Sequence, residues 1–192
     1  MKGKYKNIII GGLISLAIGI GSQFIKHGYI LKAKASFQDQ SILYSNSDFG
    51  FSITFPNEPT IGLNVVKIDS TRSVALTSIT SIGADKSEYA IIVAEYPEGL
   101  LNGNLPYETL HRGVDASMKD SNFEIIYTTD TLLDNIPAVY VKSQNLSDSK
   151  YYRYMMATLN GDKTISLLGD LYYHPTQRSH FNNYFSTFHL SQ

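Results

Sequence analysis

Few residues in this chain have the type and spacing for chemistry, and Asp170, His174 and His180 are the best placed of them. Asp170 and His174 stand four apart along an expected strand, so their side chains leave the same face. His180 follows at the start of an expected helix. A carboxylate and two imidazoles converging there would suit a divalent metal or an acid–base pair. The plainer reading is a strand-end acid with surface histidines. It carries more weight, so no metal, cofactor or catalytic residue is assigned. His111 and His189 read as ordinary helix-face residues. The chain contains no Gly-x-Ser-x-Gly elbow, no phosphate loop and no His-Glu-x-x-His motif. Gly19-Ile20-Gly21 starts like a dinucleotide fingerprint but lacks the third glycine and lies inside an apolar run. Cysteine is absent, which excludes disulfides, thiolate metal sites, thiol nucleophiles and a lipid-modified N-terminal cysteine.

Binding is better served than catalysis. Tyrosine occurs 14 times. Tyr151, Tyr152 and Tyr154 flank Arg153, and Tyr172 and Tyr173 fall on the neighbouring strand of an expected hairpin. An exposed face of Tyr and Arg would make a protein-binding surface, because both types are enriched at interface hot spots. Against this stands the good fit of half-buried tyrosine to any strand. A ligand pocket between the sheet and one helix is a weaker alternative. Asn145-Leu146-Ser147 fits a glycosylation acceptor, which has no meaning in a bacterial setting.

The elements that must position these residues follow from periodicity. Phe49, Phe51, Ile53 and Phe55 alternate, and Pro56 ends that strand. Strands are expected at 62–69, 73–82 and 88–96, the last apolar on both faces and hence central. After Asn102-Gly103-Asn104, Pro106 opens a helix whose stripe is Tyr107, Leu110, Val114 and Met118, with Gly113 weakening it. Strands are expected again at 123–130, 136–144, 151–160 and 163–173, with Asn160-Gly161 turning the last hairpin. Pro175 opens a final helix with Phe181, Tyr184, Phe185 and Phe188 on one face. Hairpins dominate, so the fold class is α+β: a largely antiparallel sheet with helices packed on its faces, an α/β/α sandwich.

Residues 7–25 carry no charged side chain. As a helix, that run reaches about 28 Å, near the ~30 Å of a bilayer's hydrocarbon. It reads as one transmembrane anchor within residues 1–35. A tether at 36–47 and a globular domain at 48–192 follow. Ala33-Lys34-Ala35 offers an alternative, a secreted form released by cleavage after Ala35. The long run and the intervening charges favour retention. Lys2, Lys4 and Lys6 tie with Lys26, Lys32 and Lys34, and the short leading tail favours the amino terminus inside. The expected location is a bacterial inner membrane, single-pass, with the domain facing the periplasm or exterior. Gly11, Ser15, Gly19 and Ser22 share a helical face that would permit self-association. Residues 1–35 carry a charge of +6, and the rest 17 acidic against 10 basic residues, a net of −7. That balance argues against a nucleic-acid partner.

Three segments carry a family resemblance: Gly50-Phe51-Ser52-Ile53-Thr54-Phe55-Pro56, Asp134-Asn135-Ile136-Pro137-Ala138, and Phe181…Phe185…Thr187-Phe188. With the element order, they resemble the PsbP-like fold across about residues 48–190. The family often has Gly where Asn135 stands, and Asn tolerates the positive φ such a turn needs. Relatives often carry tryptophan, which this chain lacks. The resemblance implies a fold and an exported setting. It transfers no ligand or active residue. The expected function is therefore a membrane-tethered, non-enzymatic accessory domain acting through contacts with an unknown protein partner. The alternative is a small metal-dependent or ligand-binding protein using Asp170 and His174.

Overall fold

Strand periodicity is fulfilled along most of the chain. The computed structural model describes residues 41–101, 105–119, 121–172 and 178–191. The strands are β1 (Ile42–Asn46), β2 (Phe51–Phe55), β3 (Thr60–Lys67), β4 (Ser73–Ile82), β5 (Glu88–Glu95), β6 (Phe123–Leu133), β7 (Ile136–Asn145), β8 (Tyr151–Asn160), β9 (Lys163–Tyr172) and β10 (His189–Leu190). The helices are α1 (Pro106–Lys119) and α2 (Arg178–Ser186). Seven strands form one sheet in the order β3-β4-β5-β9-β8-β7-β6, and three form another in the order β1-β2-β10. Every pairing among them is antiparallel. The architecture is thus mostly antiparallel sheet with few helices.

Each face of the large sheet has its own apolar layer. On one, Leu110, Val114 and Met118 of α1 cover Ala90, Ile92, Val141, Met155 and Leu168. The stripe expected for this helix is the stripe it buries. On the other, Phe181, Tyr184 and Phe185 of α2 join Phe51, Ile53 and Phe55 of β2 over Ile79, Ile91 and Leu167. Gly169 makes room there. A Cβ at that position would lie 1.8 Å from the Phe181 ring. Tyr89 and Tyr154, its cross-strand neighbours, stack on the same ring at 5.0 and 5.5 Å.

Turn chemistry fixes the hairpins. Asp134 and Asn135 join β6 to β7 with φ of 50° and 68°, the pair of positive angles a two-residue type I′ turn needs. Asn135 therefore does what glycine does in that place. Between β8 and β9 the loop residues are Gly161 and Asp162, because Asn160 pairs with Lys163. Gly161 takes the positive φ of 61°.

Two expectations need correction. Residues 36–47 are not all tether, since 42–46 form β1, whose Tyr44 ring packs 6.3 and 6.1 Å from Phe51 and Phe55. Leu43 and Ser45 are the outward half of that strand, and Asn46 continues the inward row of Ile42 and Tyr44. The first run of strands therefore numbers five rather than four. Phe188 does not belong to the final helix. The chain tightens after Ser186, with the Thr187 and Phe188 amides donating to Tyr184 and Phe185 carbonyls at 3.1 and 3.2 Å. Phe188 is still buried, against Phe51 at 5.5 Å. Among the described residues no helix is long and apolar enough to cross a membrane. The apolar run 7–25, its basic flanks and the small-residue stripe lie outside the described residues, as does Pro175.

Candidate functional site

Alternation along β8 divides the tyrosine–arginine cluster. Tyr151 and Arg153 face α1, while Tyr152 and Tyr154 face α2. Arg153 is only 1% exposed and Tyr154 is buried in the aromatic stack on Phe181. Tyr151 and Tyr152 are half-buried. Tyr172 pairs with Tyr151 across β8 and β9, and Tyr173 lies outside the described residues. These six residues do not share one exposed surface. The sequence pattern could not show this, because a strand in the middle of a covered sheet buries both of its faces.

What the arginine does instead is visible in its contacts. Arg153 stands across from Asp170, which is also 1% exposed. Its Nε and Nη2 donate to Asp170 Oδ1 and Oδ2 at 2.7 and 2.5 Å. Tyr151 donates its hydroxyl to Asp170 Oδ2 at 3.3 Å. The Phe123 ring lies 4.3 Å from the guanidinium carbon, a stacked arrangement that suits a desolvated cation. Burial opposes the charge on Arg153, but Asp170 beside it more than offsets this and holds its pKa up. Burial and the Asp170 charge together push the Tyr151 hydroxyl up. With both oxygens engaged by a guanidinium, Asp170 is not placed as a metal ligand. His174 and the side chain of His180 lie outside the described residues. Among the described residues no three His, Asp or Glu side chains are grouped to hold a metal.

Glu88 was not singled out from the sequence, yet it completes this row. It stands across from Asp170 on the other side, so Glu88, Asp170, Arg153 and Ser143 run in sequence across four strands. Burial, then the nearby Asp170 charge, pushes the Glu88 carboxyl up to about 7. Its proton equilibrium therefore lies near neutrality. The pairing of β5 with β9 joins residues some eighty positions apart, and only that pairing brings Glu88 here.

Two features face solvent. A groove of about 620 Å³ runs between β6–β8 and α2, lined by Tyr127, Tyr140, Met156, Phe185 and His189 among others. The second feature is the outer edge of β3. Among the described residues this strand pairs only with β4 and ends the sheet. Its Ile61, Leu63 and Val65 side chains are 54%, 79% and 64% exposed. Ile61 lies beside buried Ile79, so this row carries the apolar layer on the α2 side out to water.

Comparison with solved structures bears on the fold. Cyanobacterial PsbP from Synechocystis sp. PCC 6803 superposes with a TM-score of 0.50 at 18% identity, covering 78% of this chain and 91% of that one. The fold is PsbP-like. A Bacteroides thetaiotaomicron protein covers 80% of this chain and 49% of its own, at 10% identity and a TM-score of 0.42. The Pseudomonas aeruginosa protein PA94 covers 73% and 88%, at 11% identity and a TM-score of 0.38. No family model and no curated protein matches the chain. Within the PsbP-like fold, the Gly50–Pro56 segment is β2 with its flanks and the Asp134–Ala138 segment is the β6–β7 turn.

Proposed function

We propose that this chain is a membrane-tethered binding domain held outside the cytoplasm by residues 7–25, and that it acts through protein contacts without catalysis. The outer edge of β3 is the observation that carries this reading. An eight-residue edge strand with three exposed apolar side chains and no described strand on its outer side is a template for another chain. The apolar run and the split between a +6 leader and a −7 remainder support the tethered, exported setting.

Two measurements test it. Protease added to spheroplasts should digest the domain without breaking the inner membrane. Protection until lysis would make the domain cytoplasmic. In the second, Val65→Lys should abolish chemical cross-linking of the full-length chain to its partner while leaving the melting temperature within a degree or two. Unchanged cross-linking would remove β3 from the contact.

The groove beside α2 supports a second reading, an apolar small-molecule site, since its volume falls in the usual ligand range. Met156→Trp should fill it and lower the affinity for an apolar dye. Unaltered dye binding would end that reading.

A further inference from the structure

The chemistry of β3 is complementary to itself. Thr60–Lys67 pairs with β4 residue for residue, without a bulge. It has no internal proline and one charge, Lys67, at its end. Of the devices that normally stop edge strands from pairing, the described residues provide only that terminal lysine and the Asn64 side chain on the Val65 amide. Its outward hydrogen-bonding groups can be assigned. The Val65 amide is bonded by its own Asn64 Oδ1 at 2.9 Å and so does not point to β4. By the alternation of an antiparallel pair, Ile61 and Leu63 share its phase and turn their N–H and C=O groups outward. These are the three exposed apolar residues of the strand.

We propose that β3 pairs antiparallel with β3 of a second copy of this chain, about a two-fold axis through Leu63. This rests on the reading of the edge as a contact surface and names its occupant. About the axis, Leu63 meets Leu63 of the other copy and Ile61 meets Val65. Three outward-facing residues then meet three outward-facing residues, forming about six backbone hydrogen bonds once each Val65 amide exchanges its Asn64 Oδ1 for the other copy's carbonyl. The apolar rows become one strip on one face of the joined sheets.

Charge selects both the orientation and the register. Glu58 and Lys67 lie at opposite ends of the strand, and both are exposed. Antiparallel pairing about Leu63 sets Lys67 across from Pro59 of the other copy, beside its Glu58. Parallel pairing would set Lys67 by Lys67 and Glu58 by Glu58, which is unfavourable. Such a contact uses the same patch on both copies and closes after two, as a two-fold dimer must.

The absence of cysteine makes the test clean. In a hydrogen-bonded antiparallel pair the opposed Cα atoms are about 5.5 Å apart, inside the roughly 4.4–6.8 Å range that a disulfide spans. Leu63→Cys in the full-length chain, oxidised mildly in membranes, should give a covalent dimer. Ile61→Cys alone should stay monomeric, because its thiols lie on opposite sides of the axis. A mixture of Ile61→Cys and Val65→Cys chains should cross-link, and Ile126→Cys on the far edge of the sheet should not. A folded Leu63→Cys chain, by circular dichroism, that stays monomeric would overturn the pairing. A benzophenone attached to that thiol then separates the two levels of the argument. Capture of a different protein would overturn the second copy as occupant but leave the edge as a contact surface. Capture of nothing would overturn both.

Discussion

The two edges of the large sheet are built differently. β6, at one end, carries Glu124 and Asp130 and breaks register between Ile125 and Tyr127. Helix α1 reaches over it: His111 Nε2 lies 2.6 Å from Asp130 Oδ1, and the Tyr107 hydroxyl donates to the Thr131 carbonyl at 3.0 Å. Charge, a bulge and a covering helix are the ordinary means of closing an edge. β3, at the other end, carries one charge at its last residue, Lys67, has no bulge and, among the described residues, no covering helix, and it sets Ile61, Leu63 and Val65 in water. Among the described residues one sheet therefore ends in a closed edge and an open one, and the open one is the edge proposed as the contact surface.

Both edges depend on the centre of the sheet, and the largest expected effect lies there. Arg153→Ala leaves the Asp170 carboxylate buried without its cation. It should cost about 3–5 kcal/mol in urea unfolding. Replacing both residues with apolar ones of similar volume should recover most of that loss. If the single replacement is harmless, the pair does not hold β8 to β9, and the edges are positioned by something else. Gly169→Ala presses a methyl into the Phe181 ring on the other face. It should cost about 1–3 kcal/mol by the same assay.

The comparison itself can be inverted. Glu124→Val with Asp130→Val strips the charges from β6 and should produce concentration-dependent self-association in sedimentation. If it does not, the bulge and α1 suffice to close that edge. Putting lysine at Val65 guards β3 at little cost, with stability expected to change by less than about 0.5 kcal/mol.

A pH dependence is expected at Glu88. This carboxyl holds its proton more tightly in the folded chain than in the unfolded one. Its contribution to stability is complete below about pH 4.5 and is lost as pH rises through about 7. Glu88→Gln should flatten that part of the profile measured by thermal melts. An unchanged slope would place the titration elsewhere.

Much of this architecture was legible from local pattern. The α1 stripe, the fully buried β5 and the hairpin turns follow from side-chain period and from residues that accept positive φ, as Asn135 does at 68°. β1 was hidden because its inward row has only two apolar residues, Ile42 and Tyr44, while the apolar Leu43 between them faces outward and breaks the alternation. The candidate surfaces were less legible for a physical reason. Tyr151, Arg153 and Tyr154 look alike in sequence, but strand alternation and the position of β8 inside the sheet bury two of them. Ile61, Leu63 and Val65 look like core residues, and only the sheet order reveals that β3 has no neighbour on its outer side. Exposure in a sheet is set by long-range pairing, which side-chain period does not encode.

Amide hydrogen exchange at Ile61, Leu63 and Val65 tests the central claim most directly. The full-length chain would be followed in its native membrane and after dilution into detergent, with the amides of β6 as the internal reference. If the outer edge of β3 is a contact surface, these three amides should exchange at least tenfold more slowly in the membrane than after dilution, while β6 stays unchanged. Equal rates in both conditions would mean that the edge is open to water in both, and would contradict the account.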